Sequence, residues 1–184
     1  MKRRLFLTGP MGCGKSTAIL RALGDNIGRC GGFLTRRIRD ERGRALSFSL
    51  ACPDGSREET FLDFSTGRPE IHMDVFGSLG VRLLTGDILV LDEIGGIELL
   101  DAGFAGALES VLQSDTPILG VLKGEGPAGA LINAVGLPET YSAAADRLRR
   151  ILQEDEDTLL YECGQFDEHA LHLAVQWAEE YLYE

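Results

Sequence analysis

Apolar and polar positions along the chain change period several times, and each change marks an element. Leu5-Phe6-Leu7 is a short unbroken apolar run, so Leu5–Thr8 is expected as a strand and Ser16–Leu23 (STAILRAL) as a helix. The period then drops to two. Gly32–Ile38, Ala45–Cys52 and Glu58–Phe64 are expected as strands, with Leu46, Phe48, Leu50 and Cys52 alternating, separated by the turn-forming stretches "RDERG" (39–43) and "PDGS" (53–56). These three make an antiparallel β-meander. Val75–Leu84 is expected as a helix, with Val75, Phe76, Leu79 and Leu83 on one face.

"DILVLDEIGG" (Asp87–Gly96) has apolar residues without alternation, the mark of a strand buried on both faces in a parallel sheet. Phe104, Leu108, Val111 and Leu112 form a helical stripe stopped by Asp115-Thr116-Pro117. Ile118–Leu122 is a second buried strand, Glu139–Gln153 a helix, Thr158–Cys163 a strand, and Asp167–Leu182 a closing helix. Strand and helix alternate around the inserted meander with no repeats and no low-complexity linker. That order implies an α/β domain, residues 1–184, with an open, mainly parallel sheet and its ligand at the strands' C-terminal ends.

The chain has 184 residues, of which 44% are hydrophobic, enough for one domain with a real core. The formal net charge of −11 argues against a broad nucleic-acid footprint. Two basic clusters run against that average: Arg36, Arg37, Arg39, Arg42 and Arg44, then Arg147, Arg149 and Arg150. Both fit solvated faces of a hairpin and a helix. Cys13, Cys30, Cys52 and Cys163 show no C-x-x-C spacing, so reduced thiols in the cytoplasm are expected. The basic start Met1-Lys2-Arg3-Arg4 precedes an apolar run too short for a signal peptide, and no apolar window is long enough to span a membrane. A monomer without a membrane partner is the expectation, and no protein partner is indicated.

"GPMGCGKST" (Gly9–Thr17) follows the first strand. It is the pattern G-x-x-x-x-G-K-[ST], with Gly9, Gly14, Lys15 and Ser16 in the defined places. Glycine lets backbone N–H groups turn inward and approach an anion that a Cβ would hold off. Gly9, Pro10, Met11, Gly12, Cys13, Gly14, Lys15, Ser16 and Thr17 are therefore the candidate phosphate cradle. Lys15 would reach the β- and γ-phosphates, Ser16 would ligate Mg²⁺, and the following helix would point its positive end at the phosphates. Lys15 is expected to face solvent when the loop is empty. Asp92, at the end of the buried strand, is the second Mg²⁺ candidate, and Glu93 is placed to polarise a water against the γ-phosphate. Together Asp92 and Glu93 favour hydrolysis over transfer to an acceptor.

Three stretches, "GPMGCGKST" (9–17), "GGFLTRRIRDERGRALSFSL" (31–50) and "LVLDEIGGIELLDAGF" (89–104), give the chain its resemblance to a family. It resembles the small P-loop nucleoside-triphosphatases that include the cancer-related nucleoside-triphosphatase and its thermostable bacterial and archaeal relatives. The shared features are Gly32-Phe33-Leu34-Thr35 with Arg39, and Asp92-Glu93-Ile94-Gly95 followed by Glu98-Leu99. The resemblance implies a RecA-like P-loop NTPase fold and slow, Mg²⁺-dependent hydrolysis of ATP, GTP and other nucleoside triphosphates. It implies Glu93, Lys15 and Arg39 as catalytic residues, with Ile94 and Gly95 joining Asp92 and Glu93 at the nucleotide. The family commonly has Lys directly after Asp-Glu-Ile-Gly, where this chain has Gly96; Lys123, just past Ile118–Leu122, is the compensating cation. The family also tends to carry Asn-Arg after its last strand, which "CGQFDEHA" (163–170) lacks.

Other groups have plainer readings. Cys13 is a tolerated small residue of the loop, since only Lys15 lies near to lower its pKa. His169 and His172 lack a third ligand at matched spacing. Trp177, with Leu173 and Leu182, is a core stripe. Two further functions stay open beside hydrolysis: a kinase for a small molecule or nucleotide, and a nucleotide-dependent switch or assembly factor.

Overall fold

A computed structural model describes residues 1–124, 135–165 and 167–183, leaving Phe166 of the 163–170 stretch outside the described residues. Its strands are β1 (Arg4–Thr8), β2 (Gly31–Arg39), β3 (Ala45–Ala51), β4 (Glu58–Asp63), β5 (Glu70–Ile71), β6 (Leu89–Ile94), β7 (Ile118–Leu122) and β8 (Thr158–Glu162). They form one sheet in the order β5-β4-β3-β2-β6-β7-β1-β8. The pairs from β2 through β6, β7 and β1 to β8 are all parallel, whereas β2-β3, β3-β4 and β4-β5 are antiparallel. This is the mostly parallel, RecA-like arrangement with helices on its faces.

The meander is not a separate sheet. The first half of β2 (Gly31 to Leu34) pairs parallel with β6, and the rest pairs antiparallel with β3. One strand thus belongs to both halves. β5 was not expected, since Glu70–Ile71 is too short to show a period.

The helices are α1 (Lys15–Leu23), α2 (Val81–Leu83), α3 (Ala102–Leu112), α4 (Glu139–Glu154) and α5 (Glu168–Leu182). The helix expected over Val75–Leu84 is present, with a π-helical stretch at Phe76–Gly80 running into the three-residue α2. Short 3-10 turns at Gly24–Arg29 and Ile97–Leu100 carry no period to read. Asp101 caps α3 by accepting from the Phe104 N–H, and Asp167 caps α5 by accepting from those of His169 and Ala170. Among the described residues no helix is long and apolar enough to cross a membrane.

Successive strand residues point to opposite faces, which explains the unbroken apolar runs. Phe6, Leu89, Leu91, Ile118 and Leu122 pack on one side with Phe76, Phe104, Leu108, Leu148 and Leu152. Leu5, Leu7, Val90, Leu119 and Val121 pack on the other with Ile19, Leu23 and Trp177. Trp177 is fully buried, and its indole N–H donates to the Arg3 carbonyl at 3.0 Å, so the core reading of that residue holds. All four cysteines are free and buried.

Parallel pairing puts the C-terminal ends of β1, β7, β6 and β2 on one edge. Leu7 pairs with Val121, Val121 with Asp92, and Asp92 with Leu34, which sets these residues level across the sheet. β7 separates the strand that leads into the glycine-rich loop from the strand that carries the carboxylates. Two strand spacings amount to about 10 Å, room for phosphates between them.

Gly32 makes the β2–β6 junction possible. Its φ is +91°, and a Cβ there would lie 2.0 Å from the Val90 carbonyl oxygen. Gly32→Ala is expected to cost about 3 kcal/mol and lower Tm by about 6–12 °C in thermal denaturation. Gly106→Ala, in α3 with open space around the added methyl, should instead raise stability by about 0.5–1 kcal/mol.

Candidate functional site

The glycine-rich loop between β1 and α1 curls on backbone conformations that L-residues rarely adopt, with φ of +125° at Gly9, +80° at Gly12 and +103° at Gly14. A Cβ on Gly9 would meet the Cys163 carbonyl oxygen at 2.6 Å, so the loop sits directly against the end of β8. Gly14 holds the N-cap of α1, and the helix opens on Lys15, Ser16 and Thr17.

Lys15 does not face solvent. Its side chain folds back under the loop, 8% exposed, and the ammonium donates to the Gly9 and Pro10 carbonyls at 3.0 and 2.7 Å. The expectation of an exposed lysine is therefore corrected. Curling the loop points those carbonyls inward, where the ammonium takes them as acceptors. Cys13 is buried beneath the same turn, its Sγ 3.5 Å from Lys15 Nζ.

The loop is tied to β6. Ser16 Oγ donates to Asp92 Oδ1 at 2.8 Å across the position of β7. Asp92 is 4% exposed, and burial pushes its carboxyl up to about 6, with the neighbouring Glu93 charge adding to the effect and the Ser16 hydroxyl opposing it. A hydroxyl and a carboxylate held side by side are hard oxygen donors. They suit Mg²⁺, which takes few protein ligands and keeps several waters, so the donor set fits the ion expected there.

Glu93 is half-buried beside Asp92. Its N–H donates to Thr35 Oγ1 at 3.1 Å, and its Oε2 accepts from Lys123 Nζ at 2.9 Å. Lys123 follows β7, between the loop and the carboxylates. A Cβ on Gly96 would lie 3.2 Å from Lys123 Cε and 2.7 Å from Glu98 Oε2, so the space beside Gly96 is filled by the lysine stem and the glutamate. The Lys123 stem thus passes beside Gly96 on its way to Glu93. Glu98 is buried and accepts from the Gly95 and Gly96 N–H groups at 2.6 and 2.8 Å, and burial raises its carboxyl above the ordinary range.

Ile94 and Gly95 have a supporting part. The Ile94 side chain lies in the core, and its carbonyl accepts from the Lys123 N–H. Gly95 uses its N–H on Glu98 and its carbonyl on the Tyr141 hydroxyl, so neither group is free for a nucleotide. Tyr141, fully buried in α4, carries no sequence signal for this role. The basic cluster on α4 divides: Arg147 pairs with Glu109 at the surface, whereas Arg149 donates to the Lys123 carbonyl at 3.1 Å and buttresses the site.

In β2 the arginines separate. The β2–β3 register shifts between Ile38 and Arg39, and Arg39 turns to the hairpin tip, donating to the Gly43 carbonyl at 2.6 Å. Arg37 instead reaches the loop, its Nη1 3.4 Å from Met11 Sδ and its guanidinium 4.8 Å from the Phe48 ring centroid. It is half-buried and feels the charge of Glu93, while burial and Arg39 lower its pKa. Arg36 pairs with Glu58 and Arg44 with Asp40, away from the loop. His169 meets the Tyr161 ring edge-on and lies 6.3 Å from His172, and neither histidine lines the cavity.

A cavity of about 950 Å³ joins these groups, with Met11, Gly12 and Gly14 through Thr17 on one wall, Asp92, Glu93 and Lys123 on the floor, and the hairpin as the far wall. Such an arrangement can hold a polyphosphate, its metal and a water beside a carboxylate.

A family model described as NTPase matches residues 4–166. The nucleoside-triphosphatase THEP1 of Methanocaldococcus jannaschii is 31% identical over 133 residues, covering 65% of this chain and 77% of that protein. The THEP1 of Methanosarcina acetivorans is 34% identical over 144 residues, covering 65% and 75%. Among solved structures, that of a human cancer-related nucleoside triphosphatase superposes with a TM-score of 0.66 at 23% identity, covering 99% of this chain and 98% of that one.

The Asp92 environment has a consequence for stability without metal. Its folded pKa, about 6, lies above the ordinary value of 3.8, so between those values the folded state binds more protons than the unfolded. The contribution of Asp92 to stability is therefore fully present below pH about 4 and is lost as pH rises through 6, by about 3 kcal/mol. In EDTA, Asp92→Asn should match the parent at pH 4 and exceed its Tm at pH 8, as read by denaturation at both pH values.

Proposed function

The chain belongs to the NTPase family, and from that premise we propose that it hydrolyses ATP, GTP and other nucleoside triphosphates to the diphosphate and phosphate, with Mg²⁺. The observation that carries this reading is a Glu93 carboxylate lining the cavity, one residue past an Asp92 that is hydrogen-bonded to Ser16 of the phosphate loop.

The roles follow from position. Backbone N–H groups of the loop and the start of α1 receive the β- and γ-phosphates. Lys15 leaves the Gly9 and Pro10 carbonyls for phosphate oxygens. Ser16 and Asp92 would hold Mg²⁺, which would supply charge neutralisation to the phosphates. Glu93 orients a water and accepts its proton as the water oxygen bonds to the γ-phosphorus and the bond to the β-phosphate oxygen breaks. Lys123 brings positive charge to the γ-phosphoryl oxygens, with Arg39 further out at the hairpin tip. Every contact so assigned addresses phosphate, metal or water, which are common to all nucleoside triphosphates.

Phosphate release from ATP, GTP, CTP and UTP, with Mg²⁺ and no acceptor added, tests the proposal directly. The four are expected to differ by less than about a hundredfold, equivalent to about 2.7 kcal/mol. Glu93→Gln should keep Mg·ATP affinity while single-turnover hydrolysis falls by about 10²–10⁴. Parental turnover in that variant removes Glu93 from the chemistry, and no phosphate release by the parent from any of the four overturns the hydrolase reading.

Lys123→Met retains the stem that fills the space beside Gly96 and removes the charge. Single-turnover hydrolysis is expected to fall by about 10² with a smaller loss of Mg·ATP affinity. An unchanged rate would leave Lys123 as a packing residue only.

A further inference from the structure

The cavity lining continues past the phosphate loop and the carboxylates onto the β3–β4 hairpin. Lys15, Ser16, Asp92 and Glu93 together mark the β,γ end of a bound triphosphate. Beyond Glu93, away from the loop, the wall turns aromatic. Phe48, Phe61 and Phe64 cluster there, with Phe48 6.3 Å from Phe61 and 6.4 Å from Phe64, and Leu46 completes the surface. Phe48, Phe64 and Leu46 are only half-buried and face the cavity. The nucleoside is joined through the α-phosphate, at the opposite end of the triphosphate, so it points away from this chamber.

The charge is also specific. Arg37 stands where the chamber meets the loop, stacked on Phe48, and forms no ion pair among the described residues. A half-buried guanidinium without a carboxylate partner, in a chain of net charge −11, is a ready partner for an anionic group. Aromatic faces beside it accept a planar ring by stacking. A volume of about 950 Å³ lies at the upper end of the range for a single small-molecule site, which leaves room for a second ligand beside the phosphates.

We propose that this chamber is a second binding site, for a phosphorylated aromatic molecule of nucleoside-monophosphate size, set against the γ-phosphate end of the nucleotide. Its ring lies against Phe48 and Phe64, and its phosphate meets Arg37. The proposal rests on the triphosphate occupying the loop as described above, and the two are tested separately.

The full-length protein is saturated with Mg²⁺ and a non-hydrolysable ATP analogue, then titrated calorimetrically with AMP, GMP, CMP and UMP. At least one monophosphate is expected to bind one-to-one with Kd below about 1 mM, the weak end of specific small-ligand affinity. Phe64→Ala and Leu46→Ala, each checked for an unchanged melting transition, should weaken it about tenfold while analogue affinity stays within twofold. Two variants keep the test valid if one fails to fold. Binding that appears only in the empty protein and competes with the analogue would show a single nucleotide site and overturn the proposal. So would no binding by any of the four, or binding indifferent to both variants. Phosphate release from Mg·ATP alone is measured beside it, so a failure of hydrolysis and a failure of the second site are told apart.

Discussion

The hydrogen bond from Ser16 to Asp92 joins the start of α1, which follows β1, to β6, and these two strands are not neighbours in the sheet. It spans the width of β7 and brings the start of α1 against the end of β6. Everything else in the site is arranged around that span. Lys123 stands in it because β7 ends there, Thr35 borders it because β2 pairs with β6, and Glu98 and Tyr141 brace the turn that follows.

Charge in the site is local rather than inherited from the whole. A chain of net charge −11 repels a polyphosphate at long range, and screening confines that repulsion to about 8 Å at physiological salt. Inside the cavity Lys15, Lys123 and Arg37 face Asp92 and Glu93. Each lysine already has partners, Lys15 the loop carbonyls and Lys123 the Glu93 carboxylate. Entry of a phosphate therefore exchanges contacts that exist, and the net gain is smaller than the new contacts alone would suggest.

Much of this was legible in the order of residues. The glycine spacing of Gly9–Thr17 and the unbroken run before Asp92 report backbone requirements, and backbone requirements are local. The partners of those residues are not local. Lys123 can be tied to Glu93 only when β7 is known to lie between β1 and β6. The separation of Arg37 from Arg39 follows from a shift in the β2–β3 register at Ile38, which simple alternation does not foretell. Lys15 was read as if its environment were solvent, whereas the curled loop supplies acceptors of its own. Tyr141 and Arg149 lie on an amphipathic helix whose period explains burial and says nothing of which carbonyl each will meet.

β2 serves two neighbours in succession, β6 up to Leu34 and β3 beyond it. The half that borders the carboxylates is held by the parallel core, while the half that forms the far wall belongs to a hairpin whose tip hangs outside it. Residues added or lost at the 40–43 turn would lengthen or shorten that wall and leave the pairing of Leu34 with Asp92 in place. The molecule is in this sense modular along a single strand. Descendants of such a chain can explore new ligands at the outer end while the inner end keeps its inherited chemistry.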